Sequence, residues 1–438
     1  MIERLRASFW ENPRRRRWLL AALIHAIAVA GFALLAAPEL FETHTRYNHF
    51  ALLAEGWLTG RLDLGGDPPA HAGQNDFARY GDRWFVVFPP FPALVLFPGV
   101  WLAGGEAVRL ADGAYFLGLA GLAPALVFLV LEKLARMGYG VGDQRARVLL
   151  SLLFAFGTVY FFCAVQGTVW YAAHVVGTAL AAAYVLFALG AERPLAAGVA
   201  LGLGLLTRTP LCFAAPLFVL EAWRTCRCER GAIDRRLLAL KLAGFAAPVL
   251  LALAVTLLLN WARFGDGFEF GYRYLTVRWH DRIERWGLFD YHYLARNLGV
   301  VLTSLPWIAP PGQSPPFQIN AHGLALWVTT PGYLWLLWPR RRPALFWSLL
   351  ASALAIAVPT LFYQNTGWVQ FGYRFSCDYA VFLFALFAVG GYGLGRWFRG
   401  AAVLSVVVNA FGAATFGRRG YESYYVVEPT QRVLYQPD

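Results

Sequence analysis

Acidic and basic side chains are concentrated between residues 38 and 85. The carboxylates there are Glu39, Glu42, Glu55, Asp63, Asp67, Asp76 and Asp82, and the arginines are Arg46, Arg61, Arg79 and Arg83. A carboxylate within reach of an acceptor hydroxyl can act as a general base. Arginines can hold the negative charge that grows on a leaving phosphate. This stretch is therefore the first candidate for a reaction site.

An apolar, proline-rich run follows these charges directly, with the sequence FPPFPALVLFP at residues 88–98. A substrate with a polar head and a lipid tail must be met where water ends and hydrocarbon begins, which fits this abrupt change. The alternative for Asp76 and Asp82 is that they are solvated loop charges paired with Arg79 and Arg83. Exposed pairs of that kind add little stability.

A second stretch, residues 260–319, has an aromatic residue at roughly every third position in its first half, interleaved with arginines. Such a surface can wrap a flat ring or an acyl chain and pair a phosphate. An interfacial aromatic belt would explain part of the pattern. It does not explain why Arg273, Arg278, His280 and Arg282 lie close together.

Four further ionisable residues lie near or inside apolar segments. Arg208 needs a partner, a polar chamber, or a break that makes 195–221 two short segments with TRTP at a surface. Arg374 and Asp378 are one helical turn apart, which predicts either an internal ion pair or a phosphate-binding arginine oriented by its aspartate. His174 is either functional or a hydrogen-bonded packing group.

The composition indicates an integral membrane protein. The 438 residues are 58% hydrophobic and only 15% charged, with a mean hydropathy of +0.48. Apolar stretches long enough to cross a bilayer as helices recur along the chain. The net charge of +12 comes from arginines in short loops between these stretches, which indicates topology signals and not nucleic acid binding. The five cysteines form no disulfide framework.

The hydropathy pattern predicts an all-α polytopic membrane protein with about eleven transmembrane helices. The candidate spans are 18–37, 86–104, 113–132, 148–165, 170–190, 195–221, 237–259, 320–338, 343–363, 375–395 and 401–416. Arg14 to Arg17 place the N-terminus in the cytoplasm by the positive-inside rule. Strict alternation then puts the basic loop 133–147 outside, against the rule. A re-entrant segment somewhere between 86 and 221 would remove this conflict.

This topology predicts the following organisation: a basic cytoplasmic N-terminus 1–17, a seven-span core 18–259 that contains the first outer loop 38–85, a second outer loop 260–319, C-terminal transmembrane helices 320–416 and a tail 417–438. Within the first loop, Phe50, Leu53, Ala54 and Trp57 follow helical spacing. They predict a helix that lies on the outer leaflet or packs on the bundle. Long ordered loops commonly carry sites.

Motifs for soluble nucleotide chemistry are absent from the sequence. It has no Walker-type loop and no G-x-G-x-x-G, and no H-E-x-x-H or C-x-x-C pair that would suggest a metal. The sequence therefore assigns no cofactor, and a divalent metal stays open.

The layout resembles the GT-C superfamily of polyprenyl-phosphate-dependent glycosyltransferases, the class of the protein O-mannosyltransferases and the lipid A aminoarabinose transferases. The resemblance covers most of the chain. It rests on the long first loop with its helix, on FPPFPALVLFP, on GLGLLTRTP, on the loop after the seventh span and on FGYRF. It implies transfer of a sugar from a lipid phosphate carrier to an acceptor on the outer face, with inversion and an acidic base from the first loop.

The sequence departs from the family pattern at two places. The family commonly has Asp-Glu shortly before a tyrosine, where this chain has Thr43 and His44, so that Glu42 is one residue out of register. The lysine of the family's K-P-P-L element is replaced by Phe88. The base is then Glu42, or one of the later carboxylates of the loop, or transfer activity has been lost.

These inferences combine into one hypothesis, a glycosyltransferase of the bacterial inner membrane. Its partners would be a polyprenyl-phosphate-linked sugar, a lipid, glycan or protein acceptor, and membrane lipid, without nucleic acid. The candidate bases are Glu42, Asp63, Asp67 and Asp76, and the candidate substrate-binding residues are His44, Arg79, Arg83, His174, Arg273, Arg278, His280 and Arg374. The alternatives are a transporter of lipid-linked substrates and a non-catalytic assembly partner with the same fold.

Overall fold

The computed structural model describes residues 12–140, 142–228, 231–277 and 279–426. Residues 1–11 of the predicted N-terminal region, 427–438 of the predicted tail, and Arg278 lie outside this part. Helices dominate it. The α-helices are α1 Pro13–Leu35, α2 Glu39–Glu42, α3 His49–Leu58, α4 Phe91–Leu102, α5 Asp112–Ala120, α6 Leu122–Arg136, α7 Gln144–Phe156, α8 Tyr160–Ala164, α9 Val169–Ala188, α10 Pro194–Leu205, α11 Pro216–Thr225, α12 Arg235–Phe264, α13 His280–Trp286, α14 Leu294–Thr303, α15 Leu326–Thr329, α16 Ala344–Leu361, α17 Cys377–Val389 and α18 Arg396–Thr415.

Short 3₁₀ helices and two small sheets complete the fold. The 3₁₀ helices are Ala107–Arg109, Leu189–Ala191, Thr209–Ala214, Tyr272–Tyr274, Tyr291–Tyr293, Pro331–Leu337, Arg374–Ser376 and Glu422–Tyr424. The strands are β1 Phe77–Tyr80, β2 Arg83–Val86, β3 Trp307–Ile308, β4 Phe317–Asn320 and β5 Tyr425–Val426. β1 and β2 form an antiparallel hairpin in the first loop, and β4 pairs antiparallel with β3 and parallel with β5. The expectation of an all-α fold therefore misses these strands.

Six helices among the described residues are long and apolar enough to cross a membrane, by length and composition. They are Pro13–Leu35, Asp112–Arg136, Val169–Ala191, Arg235–Phe264, Ala344–Leu361 and Arg396–Thr415. The chain is thus a multi-pass membrane protein, but the predicted count of eleven spanning helices is not confirmed. Below, the end of the bundle that carries Arg14 to Arg17 is called the basic end, and the end that carries the two long loops is called the loop end.

The predicted span 195–221 is a hairpin that returns to the end where it started. Glu192, just before α10, pairs with Lys133 at 3.1 Å. The backbone N–H of Gly190 donates to Glu221 Oε2 at 2.9 Å, so that α11 returns to the same place. The hairpin turns at Leu206, whose carbonyl accepts from the backbone N–H of Phe91 at 2.8 Å. Hydropathy could not distinguish this hairpin from a crossing, because both are apolar over the same length.

The predicted span 86–104 also starts and finishes at one end, the loop end. Arg263, at the end of α12, donates to the carbonyl of Val86 at 2.9 Å. Asp112, at the start of α5, accepts from the backbone N–H of Thr45, shortly after α1 ends. The helix between them, α4, is therefore a second re-entrant segment. Both hairpins lie in the region where the sequence analysis required one.

The loop 133–147 consequently lies at the basic end. Arg136 is close enough to Arg17 for their charges to interact. This position agrees with the positive-inside rule, which strict alternation of eleven spans had violated. The conflict between strict alternation and the basic loop 133–147 thus arose from the two re-entrant segments.

The predicted helix 320–338 is wrong as a helix. The chain there is β4, a connection, the single turn α15 and the 3₁₀ helix Pro331–Leu337. Pro331 lacks a backbone N–H and Gly323 has a positive φ of 90°, and both interrupt an α-helix. The segment nevertheless runs along the bundle, from β4, which pairs with β5, to Leu336, whose carbonyl accepts from Tyr392.

The helix predicted in the first loop is present as α3. Phe50, Leu53 and Ala54 are buried on it, as the spacing predicts, and they share a core with residues of α4 and α9. α3 therefore packs on the bundle, which is one of the two arrangements that the sequence left open.

The hairpin arrangement predicts on which side single cysteines react. In a background with Cys212→Ser and Cys228→Ser, we expect Gly140→Cys to be labelled by a membrane-impermeant maleimide from the same side as native Cys228. Gly140, Cys228 and Asp82 are all exposed, and Asp82 lies in the β1–β2 turn at the loop end. Asp82→Cys should react only from the opposite side. Labelling of Gly140→Cys and Asp82→Cys from one side would contradict this topology.

Candidate functional site

Asp76 precedes β1 and reaches the first turn of α9. The indole Nε1 of Trp170 donates to Asp76 Oδ2 at 2.9 Å. The backbone of Asp76 is left-handed, with φ of 60°, a conformation that costs a non-glycine residue about 1–3 kcal/mol and persists only where the surroundings impose it. Burial raises the pKa of Asp76 to about 6, against the opposing effects of the Trp170 hydrogen bond and the Arg374 charge. A carboxyl that ionises near neutral pH suits a general base.

The second long loop lies against the hairpin that follows Asp76. The backbone N–H of Thr276 donates to the carbonyl of Phe77 at 3.0 Å, and Leu275 forms an antiparallel bridge with Ala78. Ala78 and Leu275 are buried in the same small core. The two long loops are thus in direct contact beside Asp76.

Two tyrosines bring further polar groups toward Asp76. Tyr272 comes from the second loop and Tyr363 follows α16, and both interact electrostatically with Asp76 and with Arg208. Burial raises the pKa of both phenols, so that they stay protonated at neutral pH. We call Asp76, Trp170, Arg208, Tyr272, Tyr363 and Arg374 the Asp76 cluster.

Arg208 lies at the tip of the α10–α11 hairpin and is held by a buried carboxylate. Its Nε and Nη2 donate to the two oxygens of Asp378 at 3.1 and 2.6 Å. His174 Nδ1 lies 3.3 Å from Asp378 Oδ1, and both of these side chains are fully buried. The sequence left open a partner for Arg208 or a break in the stretch 195–221. Both are present: the stretch is two short helices, and the Arg208 guanidinium binds Asp378.

The predicted pairing of Arg374 with Asp378 is wrong, because Asp378 pairs with Arg208. Arg374 belongs to a 3₁₀ turn that precedes α17, so the helical spacing on which the prediction depended does not apply. The Arg374 guanidinium instead lies over the ring of Tyr171, with its carbon 5.2 Å from the ring centre. It forms no ion pair with any carboxylate of the described residues, although the charge of Asp76 is near.

Four other candidates, Asp63, Asp67, Arg79 and Arg83, lie on or beside the β1–β2 hairpin. Arg83 and Asp63 form a loose pair at 3.6 Å. The Arg79 guanidinium lies over the Trp84 ring at 5.7 Å, and the Trp84 indole donates to Asp67 at 3.0 Å. Asp67, Arg79 and Arg83 are exposed, so these residues resemble solvated loop charges.

Glu42 and His44 lie at the beginning of the first loop. Glu42 is exposed at the end of α2. The His44 ring packs on His71 with ring centres 4.3 Å apart. Next to His44, Thr45 donates through its backbone N–H and its Oγ1 to the buried carboxylate of Asp112, at 2.7 and 2.9 Å. The sequence did not predict this contact.

The three candidate substrate-binding residues of the second loop, Arg273, Arg278 and His280, have different outcomes. Arg273 pairs with Glu269 and is 65% exposed, so its charge is paired at the protein surface. His280 Nε2 lies 3.2 Å from Glu284 Oε1, one turn along α13. Arg278 lies outside the described residues. The residue of this loop that does join the cluster, Tyr272, was not singled out from the sequence.

Trp170 was also missed, although the sequence carried a signal for it. It precedes His174 by four residues, which places both side chains on one face of a helix. Across residues 12–140, 142–228, 231–277 and 279–426, no group of three or more His, Cys, Asp or Glu side chains is arranged to hold a metal ion.

The fold defined by these elements is similar to that of an archaeal oligosaccharyltransferase. Two solved structures of the oligosaccharyltransferase of Archaeoglobus fulgidus superpose on the chain with a TM-score of 0.50 each. One is AglB in complex with an inhibitory peptide and a dolichol-phosphate, at 13% identity over 93% of this chain. The other is tethered to an acceptor peptide containing the NVT sequon, at 14% identity over 92% of this chain.

Those matches cover 56% of the archaeal chains, so that this protein spans little more than half of their length. At such low identity the likeness concerns the fold. No protein-family model matches the sequence, and no curated protein does so either.

The buried Arg208–Asp378 pair predicts a large stability difference. We expect Asp378→Asn to lower the free energy of unfolding by about 3–5 kcal/mol, because it leaves the Arg208 charge without its partner. Arg83→Gln, which removes a loose surface pair, should change it by less than about 1 kcal/mol. Unfolding in mixed detergent micelles measures both. Equal effects of the two substitutions would show that the buried pair does not hold the hairpin.

Proposed function

We propose that the protein is a GT-C-type glycosyltransferase that transfers a sugar from a polyprenyl-phosphate donor to an acceptor on the outer face of a bacterial inner membrane. The observation that carries the proposal is Asp76, a carboxyl with raised pKa, which interacts with Arg374 and with two partly buried tyrosines where the two long loops meet. The archaeal AglB has been solved with a dolichol-phosphate, which supports a lipid phosphate as donor.

Asp76 would act as the base for the acceptor. Its carboxylate accepts the acceptor proton while the acceptor oxygen or nitrogen attacks the anomeric carbon of the sugar. The bond between that carbon and the phosphate oxygen breaks, and polyprenyl phosphate leaves with the bonding electrons. Attack opposite to the leaving group gives inversion.

Arg374 would stabilise the leaving phosphate. Arg208 already has a carboxylate partner in Asp378, whereas Arg374 forms no ion pair within the described residues. Its positive charge is therefore available to an anion, and burial strengthens that attraction because little water screens it. The protonated hydroxyls of Tyr272 and Tyr363, which interact with Asp76 and Arg208, are further donors.

One observation favours a second candidate, transport of a lipid-linked sugar. His174, Arg208 and Asp378 form a buried ionisable group between helices, as carriers often have. Proteoliposomes that carry a radiolabelled polyprenyl-phosphate sugar distinguish the two functions. Transport moves the intact lipid between leaflets, whereas transfer releases free polyprenyl phosphate.

Replacing the proposed base should abolish transfer. We expect Asp76→Asn to lower the rate of polyprenyl phosphate release by about 10²–10⁴-fold, because asparagine cannot take the acceptor proton. The assay uses a panel of polyprenyl-phosphate sugars with a membrane extract as the source of acceptors. Glu42→Gln is the matched control and should retain the rate. If Glu42→Gln abolishes transfer while Asp76→Asn does not, the base is Glu42.

The raised pKa of Asp76 predicts the pH dependence of transfer. The base works only when ionised, so the rate should be constant well above pH 6 and fall about tenfold per unit below it. The ordinary aspartate value near 3.9 would instead leave the rate unchanged down to about pH 4. Initial rates between pH 4.5 and 8, with vesicle integrity checked at each pH, measure the midpoint (~6). A flat profile would contradict the assignment.

A further inference from the structure

Aromatic side chains contact the Asp76 carboxylate and its two neighbours in the chain. Its neighbours in the chain are Asn75 and Phe77, and its carboxylate contacts Trp170. His49, at the start of α3, contacts both chain neighbours. These contacts concern the base itself, and sequence reasoning assigned a role to neither His49 nor Trp170.

His49 fixes the backbone before and after Asp76. Its ring is fully buried and stacks on the ring of Phe77, with centres 4.1 Å apart and planes 14° from parallel. Its Nε2 lies 3.0 Å from the carbonyl oxygen of Asn75. Burial lowers the pKa of His49 to about 4, so the ring is neutral at physiological pH and donates its one N–H to that carbonyl. A single ring thus holds both residues that flank Asp76.

These contacts of His49 explain how Asp76 keeps a left-handed backbone conformation. Asp76 and Ala191 are the residues other than glycine that have positive φ in the described part of the chain. Such a conformation relaxes unless neighbouring contacts prevent it. The stacked Phe77 and the bonded Asn75 prevent it here, and the turned backbone directs the carboxylate to α9.

Trp170 fixes the carboxylate itself. Its indole N–H donates to Oδ2, which leaves Oδ1 as the oxygen for an incoming proton. The indole is held in turn by the ring of Tyr47, with centres 4.7 Å apart. Since the backbone N–H of Val169 donates to the carbonyl of Tyr47 at 3.0 Å, the first loop and the start of α9 are joined at this point.

We propose that His49 and Trp170 are positioning residues for Asp76, with His49 imposing its backbone conformation and Trp170 orienting its carboxylate. The proposal rests on the proposed function, in which Asp76 is the base. It adds that a neutral imidazole and an indole position the base, and that no charged side chain of the described residues forms an ion pair with it. The acceptor therefore meets Oδ1 at a fixed place.

The first test is the pH profile of Trp170→Phe, which keeps an aromatic ring but removes the N–H. The carboxylate loses a hydrogen bond that favours its ionised form, so the midpoint of transfer should move up by about one pH unit. Trp84→Phe is the matched control, because Trp84 donates in the same way to Asp67 at 3.0 Å. It should leave the midpoint where the wild type has it. An unchanged midpoint in Trp170→Phe, or equal shifts in both variants, overturns the role of Trp170.

The second test separates the two contacts of His49. His49→Phe keeps a ring for Phe77 but removes the donor to Asn75, and His49→Gln keeps a donor but removes the ring. We expect each to lower kcat about tenfold or more, with KM for the sugar-lipid within about twofold, because the base is misplaced while donor binding is not. Thermal unfolding in detergent identifies variants that fail to fold. A folded His49→Phe with wild-type kcat overturns the role of its N–H.

A readout without substrate distinguishes this proposal from the proposed function. Infrared difference spectra over a pH titration, with Asp76→Asn as the reference, report protonation of the Asp76 carboxyl directly. A midpoint that rises in Trp170→Phe supports the positioning role even if no sugar is transferred. Transfer that requires Asp76, together with an infrared midpoint that Trp170→Phe leaves unchanged, keeps the proposed function and removes the positioning role of Trp170.

Discussion

The buried carboxylate of Asp378 is the constraint around which the site is built. An ionised carboxylate without solvent is costly unless its partners are well placed, and Arg208 meets it with two hydrogen bonds while His174 lies beside it. This pair joins the tip of the α10–α11 hairpin to the first turn of α17. Because the hairpin brings Arg208 up from the basic end, the pair also fixes how far it reaches into the bundle.

Asp76 and Asp378 are two carboxylates in opposite surroundings. Asp378 binds the Arg208 guanidinium through both carboxylate oxygens, so its role is structural. Asp76 receives a neutral indole hydrogen bond, and the charge of Arg374 acts on it without an ion pair. Burial then dominates and raises the pKa of Asp76 toward neutrality. Environments that differ in this way separate a structural anion from a group able to exchange protons.

The sequence predicted the region of the candidate site better than the contacts that assemble it. Composition identified a membrane protein, and the length and charge of the two loops identified the region that contains Asp76. Contacts between distant residues could not be read, since Trp170 is 94 residues from Asp76 and Asp378 is 170 residues from Arg208. Local spacing paired Asp378 with Arg374 instead. That rule requires a continuous helix, and the 3₁₀ turn at 374–376 interrupts it.

The predicted count of eleven membrane crossings is not confirmed, for a related reason. Hydropathy measures the length of an apolar stretch, and a hairpin of two short helices has the same length and polarity as one span. The conflict over Arg136 and its neighbours was the one feature that carried this information. The positive-inside rule for the loop 133–147 therefore constrained the path of the chain more reliably than the count of apolar stretches.

The interruptions in the helices require polar partners inside the bundle. In a bilayer every backbone polar group needs a partner within the protein. At the end of the hairpin's 3₁₀ turn, the carbonyl of Ala214 accepts from Tyr184 at 2.8 Å and from Ser352 at 3.2 Å. An unbroken helix would satisfy its own backbone and present apolar side chains at this depth. The broken one takes polar neighbours such as Tyr184 and Ser352, and its tip carries Arg208 to the carboxylate of Asp378.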